Sequence, residues 1–309
     1  MDKKKVLDLN TVANECGVLS NIDSNVVVKN INNLNNHYSE DDLVIILNHF
    51  LTICQNQDVL IHLVKCVDKY RKKSSLSSLL DILLNKNNSI NLRIMCAKGA
   101  ANLKDTNAVT SLLYCLNDKN EHYQIRLACA DALGKVGDKY AVAPLINIVQ
   151  DEDEKSVYVR ESAAVALGML GDLRAIDPLV SILESKKGFI DKFTFLKERI
   201  IEVLGKFNFN SERVIKALEH SLSDESACIR INAIEALMES NNYKAYDLIK
   251  NMLEDLDDEV KKNALIALYN MVGIDILNEV IEDKKYCTFL KQEANNMIEE
   301  YEIEDNEEN

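Results

Sequence analysis

The sequence predicts an all-α fold, a solenoid of about eight or nine stacked helical hairpins, and three observations predict it. A ten-residue frame recurs along the chain: I-R-L-A-C-A-D-A-L-G at 125–134 returns as V-R-E-S-A-A-V-A-L-G at 159–168. The chain has 309 residues but only nine Gly and two Pro, too few for a fold rich in β-turns or Gly-lined nucleotide loops. A hairpin of about 33 residues cannot bury its own apolar face, so a row of them must stack into one continuous core. With 47% hydrophobic residues, the chain has enough apolar surface to do so and is not a disordered segment.

Taken in order, residues 1–25 lack clear periodicity and are expected to cap the stack or remain mobile. Residues 26–91 read as divergent helical hairpins, with 26–34 set against 43–53 and 59–67 against 76–84. The regular array occupies 92–298. Its register is marked by a basic residue at the head of each frame, Arg93, Arg126, Arg160, Lys197, Arg230, Lys261 and Lys291, giving a period of 30 to 37 residues. Small or apolar residues stand three, four and seven positions after the mark (Ala163, Ala164 and Leu167; Ala233, Ile234 and Leu237). That spacing puts them on one buried helix face.

Between frames runs a second, shorter amphipathic segment, such as A-P-L-I-N-I-V at 143–149 and D-P-L-V-S-I-L at 177–183. Pro144 and Pro178 fall in its first turn, where the missing amide has no helical partner to lose. Gly137 and Gly171, each followed by Asp, are placed to close the preceding helix in the left-handed conformation. The longest interval, from 160 to 197, holds extra residues at 186–195, whose Phe189 and Phe193 are expected to re-enter the core of the next helix. Residues 299–309 form an acidic tail that frays from the last helix.

The frame V-R-x-x-A-A-x-A-L-G followed by G-D-x-x-A-(I/V)-x-P-L resembles the HEAT-repeat family, in its phycobilisome-lyase-like variety. The likeness is closest in 125–150 and 159–184 and recognisable from about 85 to 300. It implies a right-handed α-α superhelix in which the basic marks form a structural ladder with acidic residues of the turns. Asp118, Asp151 or Asp153, Asp224, Asp255 or Asp257, and Asp283 stand near the required places. It also implies that the marked helix lines the concave side. Asp131, Glu161, Glu198, Glu202, Glu235 and Glu239 then form an acidic strip interrupted by Lys135, Lys206 and Lys262, and this strip is the expected protein-binding face.

Lys and Arg number 36 against 50 Asp and Glu, a formal charge of −14 that repels phosphate backbones and anionic lipid. No nucleic-acid or membrane partner is therefore expected. No apolar run approaches the roughly 20 residues of a membrane span, and Asp8, Asn10, Asn14 and Glu15 interrupt any signal-peptide core, so the expected location is cytoplasmic. H-E-x-x-H, the P-loop and G-x-G-x-x-G are absent, no nucleophile elbow presents a serine, and no His is followed by Glu as in the HEAT-type hydroxylases that hold iron. The eight cysteines include no C-x-x-C pair and read mostly as small buried thiols. The expectation is a scaffold without catalytic residues, metal or cofactor that binds another protein through a basic or helical segment. A bilin lyase-like or cofactor-chaperone subunit is the alternative, and a HEAT-like DNA-binding protein, disfavoured by charge, the second.

Overall fold

The fold is described from a computed structural model. It covers residues 7–20, 22–184, 194–207, 211–240 and 242–307, with the side chains of 194 and 301–307 excepted. Every regular element among them is helical. In chain order these are α1 (Leu9–Cys16), α2 (Ser24–Asn33), α3 (Glu40–Ile53), α4 (Gln57–Tyr70), α5 (Leu76–Leu84) and α6 (Ile90–Asn102). There follow α7 (Val109–Asn117), α8 (Tyr123–Val136), α9 (Val142–Gln150), α10 (Val157–Leu170), α11 (Ile176–Glu184) and α12 (Thr194–Lys206). The last are α13 (Glu212–Ser221), α14 (Ala227–Glu239), α15 (Ala245–Asn251), α16 (Asp258–Val272), α17 (Asp275–Glu282) and α18 (Thr288–Glu307). The predicted all-α architecture of stacked hairpins is thus observed. The insert carrying Phe189 and Phe193 lies outside the described residues.

The chain divides into two compact units, one formed by 1–148 with 154–170 and the other by 149–153 with 171–309. In the first, α3 packs on α4, α5 on α6 and α7 on α8, while the even-numbered helices form a row from α2 through α10. In the second, α13 packs on α14, α15 on α16 and α17 on α18, with α12, α14, α16 and α18 in a row. In the pairs α5–α6, α7–α8, α11–α12, α13–α14, α15–α16 and α17–α18 a shorter helix precedes the marked one. This corrects the early register: 43–53 pairs forward with α4 and 76–84 forward with α6, not back with the preceding segments. Both kinds of connection are short, so turn length alone does not choose between the two partners. Residues 1–25 also contain a short helix, α1, whose N-terminus is capped by the Asp8 carboxylate accepting from the amides of Asn10 and Thr11.

Local chemistry explains where the helices begin and end. Ser39, Asn56, Ser89 and Asp257 are extended residues whose side chains accept from the first free amides of α3, α4, α6 and α16. Gly137 ends α8 at φ 82°, a conformation open to Gly at little cost, and the Asp138 carboxylate that follows accepts from the Tyr140 amide to open the next turn. Pro144 and Pro178 sit at the third position of α9 and α11, among amides with no helical acceptor.

The even row is held together by small residues. Ala97, Ala100, Ala128, Ala132, Ala163 and Ala166 are almost wholly buried in the first unit, as are Ala233, Ala236, Ala264 and Ala267 in the second. A Cβ added at Gly205 of α12 would meet the Ala236 Cα at 2.7 Å, and one at Gly134 of α8 would meet the Ala166 Cα at 2.9 Å. Both obstacles are backbone and cannot swing away.

Gly205→Ala is accordingly a sign test. At an unobstructed helix site alanine would gain about 1 kcal/mol over glycine, whereas here overpacking of about 1–3 kcal/mol opposes it. Urea denaturation is expected to show net destabilisation, and a stabilised variant would contradict the close approach.

Candidate functional site

The basic marks occupy the second turn of the even helices, and their geometry shows what they do. Arg93 and Arg126 are each only 3% exposed. Arg93 donates through Nε to the Leu83 carbonyl at 2.7 Å, and Arg126 to the Leu116 carbonyl at 2.8 Å. Those oxygens lie in the last turn of α5 and α7, where carbonyls have no helical donor. The other guanidinium edge of Arg93 meets Glu121 in a two-pronged pair at 3.1 and 2.5 Å, and that of Arg126 meets Glu154 at 2.9 and 2.6 Å. Such forked pairs use the planar match between guanidinium and carboxylate.

The carboxylates are used twice as well. Glu121 accepts from the His122 amide at 2.9 Å, and Glu154 from the Ser156 amide at 3.1 Å. One buried arginine thus closes its own hairpin and fixes the entry turn of the next marked helix.

The second unit repeats the device with variations. Arg230 forks onto Asp255 at 2.9 Å on both prongs and donates to the Asp224 carbonyl at 2.8 Å. Lys197 reaches Asp224 at 3.2 Å, and those two aspartates accept from the amides of Asp257 and Ser226. At the end of the row the pattern thins. Lys291 donates to the Ile281 carbonyl at 3.0 Å, and Lys261 pairs with Asp258 in its own helix at 2.5 Å. Arg160 is buried like Arg93 and Arg126.

Of the acidic residues expected from the sequence, Asp224 and Asp255 face a mark. Asp118 binds Lys86 at 2.7 Å instead. Glu121 and Glu154 take the places expected of Asp118 and of Asp151 or Asp153, and Asp283 accepts from the Lys285 amide. A usable signal was the spacing: a carboxylate stands 28 residues after Arg93 and Arg126, 27 after Lys197 and 25 after Arg230.

The six acidic positions of the expected strip fall in both units, Asp131 and Glu161 in the first and the other four in the second. Asp131 accepts a hydrogen bond from the Ser162 hydroxyl, which ties α8 to α10. Glu202 is held between Arg199 and Lys206. Burial pushes its carboxyl up, but the two cations more than offset this and leave it below the usual carboxylate value. Glu198, Glu235 and Glu239 form no ion pair among the described residues, and the last two are exposed. They share the packed helices α12 and α14. A second feature, with no repeat signal in the sequence, lies in the first unit: Tyr123 and Tyr158 stand at the start of α8 and α10, are 43% and 58% exposed, and lie 6.4 Å apart between ring centroids.

Two stretches, 116–194 and 191–269, match the family described as HEAT repeats. The chain is a HEAT-repeat protein of the α-solenoid class. Among solved structures the HEAT array is similar to Kap121p bound to the extreme C-terminus of the protein phosphatase Cdc14p. There the TM-score is 0.59 at 13% identity, over 93% of this chain and 38% of that one. It is also similar to the complex of CpcE and CpcF of phycocyanin lyase from Nostoc sp. PCC7120, at 24% identity over 68% of this chain and 81% of that one, with a TM-score of 0.46. Human deoxyhypusine hydroxylase follows at 14% identity over 84% and 95%, with a TM-score of 0.35. At these identities the likeness to Kap121p is one of fold, and the chain spans little more than a third of that protein. No curated protein matches the sequence.

Among the described residues of this HEAT array, no group of three His, Cys, Asp or Glu side chains could hold a metal, and no helix is long and apolar enough to cross a membrane. Five cysteines are buried as expected, Cys66 is half-buried, and Cys228 and Cys287 are exposed.

Two outcomes follow for the ladder. Glu154→Ala strands the buried Arg126 charge and is expected to cost about 3–5 kcal/mol in denaturant titrations, whereas Asp258→Ala, which breaks an ion pair with one exposed partner, is expected to cost under about 1 kcal/mol. The second concerns acid. Burial pushes the Glu121 carboxyl up, but hydrogen bonds from Arg93 and the His122 amide outweigh it and set the folded value below the ordinary one. Its stabilisation is therefore complete above the unfolded value and is lost as pH falls through the folded one. Glu121→Gln is expected to lower stability at neutral pH and to flatten its decline on acidification, measured as urea midpoints from pH 7 to pH 3.

Proposed function

We propose that this HEAT-repeat protein is a non-enzymatic scaffold that binds another protein through the outward face of its marked helices. The observation that carries the reading is the division of labour among charges. The ladder cations are turned inward onto carbonyls and carboxylates, while Glu198, Glu235 and Glu239 keep their charge on one pair of helices. A face of that kind attracts a basic segment, raising its encounter rate and setting its orientation. Kap121p, which shares the fold, is described in complex with Nup53p, with the C-terminus of Cdc14p and with Ulp1p. Binding of a partner protein is likewise proposed here, through the outward face of α12 and α14.

Because Glu202 is neutralised by its neighbours, the working part of the strip is narrower than the six residues first expected and centres on α14. The bilin-lyase alternative has the shared repeat alone behind it, and a repeat is a scaffold on which chemistries differ. Unpaired glutamates on the outward face also disfavour DNA there.

Affinity purification of the full chain from its native host, with Glu235→Lys/Glu239→Lys in parallel, tests the proposal. Partners are expected to carry basic segments and to be lost from the charge-reversed bait, with binding to the unaltered chain weakening as salt rises. Full retention of every partner by the variant would overturn it.

A further inference from the structure

The first unit contains a pocket of about 210 Å³ between α2, α3 and α4. Its floor is the buried core edge of Ile31, Leu43 and Leu47, and its rim carries Lys65 and Lys69, two exposed cations on successive turns of α4. None of its lining residues is acidic, although the chain as a whole bears a charge of −14. Of the other basic side chains between 29 and 86, Lys72 pairs with Glu40 and Asp41, Lys73 with Asp105, and Lys86 with Asp118, while Lys29 and Arg71 form no ion pair among the described residues. Lys65 and Lys69 form no ion pair among the described residues, the latter lying instead 5.8 Å from the Tyr70 ring centroid.

The wall between floor and rim is polar and ordered. His62 Nε2 stands 2.9 Å from Asn32 Oδ1 and 3.4 Å from Cys66 Sγ. An amide oxygen only accepts, so Nε2 is the protonated ring nitrogen in this arrangement. Tyr70 donates its hydroxyl proton to Asn35 Oδ1 at 2.9 Å. These bonds use the amide oxygens and turn the polar groups of α4, of α2 and of the turn after α2 into a fixed wall. The lysine charges act on this wall: burial chiefly lowers the His62 imidazole, with Lys65 adding to the effect, and burial raises the Cys66 thiol, with Lys69 opposing. Two unpaired ammonium groups and a hydrocarbon floor together favour a ligand with one anionic end and one apolar end. The volume lies below the roughly 300–1,000 Å³ of drug-sized sites, so the occupant is small.

We propose that this pocket binds a small amphiphilic anion, a carboxylate or phosphate monoester on a short hydrocarbon chain, with Lys65 and Lys69 taking the charge and Ile31, Leu43 and Leu47 the chain. The site is independent of the protein-binding face on α12 and α14. Cys66 in its wall provides a local reporter.

The test combines equilibrium dialysis of hexanoate and hexyl phosphate against the full chain with iodoacetamide labelling read by peptide mass spectrometry. Labelling joins the Cys66 sulfur to the reagent carbon, expels iodide and releases the thiol proton to buffer. A Kd on the order of 1 mM suits a ligand of about eight heavy atoms, and about 5 mM of it then slows Cys66 labelling roughly six-fold by mass action. The exposed Cys228 and Cys287 are internal controls and keep their rates. Lys65→Gln/Lys69→Gln is expected to abolish both saturable dialysis binding and protection. Whether hexanoate, hexyl phosphate or both bind distinguishes the head group. Failure of both anions to bind, equal binding by neutral hexan-1-ol, or undiminished binding to the double variant would each overturn the proposal. Dialysis decides the matter even where Cys66 labels slowly.

Discussion

A buried arginine bonded on two sides is the interaction on which this array depends. Stacking helical hairpins leaves two kinds of backbone group in need of partners: the last carbonyls of each short helix and the amides of the turn that leads into the next marked helix. Arg126 takes the first through the Leu116 carbonyl, and Glu154 takes the second through the Ser156 amide. Their mutual fork then joins the two turns. Neither charge could be buried alone without a penalty of several kcal/mol. The pair persists because every polar edge of it is used.

The rest of the architecture is arranged around that link. The arginine reaches the carbonyl only if the short helix lies close against the marked one, and the next carboxylate only if successive marked helices are close to each other. Alanine and glycine at the contact positions supply that proximity, with Gly134 against Ala166 and Gly205 against Ala236. Where the mark is lysine the fork is lost. Lys197 reaches Asp224 through its ammonium group, and Lys261 turns back to its own helix. An ammonium group carries charge but not the planar geometry that the bridge requires.

Much of this was legible in the sequence. Helical periodicity, the basic mark and the small residues after it come from contacts that recur in each repeat, so they recur in the sequence as well. The terminating glycines and first-turn prolines were legible for the same reason, since their roles are local. Two things were not. Which short helix joins which marked helix is a tertiary choice between turns of similar length. The partners Glu121 and Glu154 were hidden because aspartates crowd these turns, and Asp118, Asp151 and Asp153 matched the residue type expected. Of the candidate face, the sequence showed where glutamates stand but not that Arg199 and Lys206 silence Glu202. The pocket under Lys65 and Lys69 joins three helices of the divergent segment, where no repeat register was available to place them.

The ladder also has a bearing on how the chain comes to be folded. Its bridges join residues 25 to 28 apart, from Arg230 with Asp255 to Arg93 with Glu121. Contacts of such short sequence separation form early, because little loop entropy is lost in closing them. Where the bridge is present, a nascent chain can therefore lock a hairpin as soon as the following turn leaves the ribosome, without waiting for distant sequence. The bond that holds neighbouring repeats together is in this sense also a clock, one that starts at Arg93 and ends at Asp255.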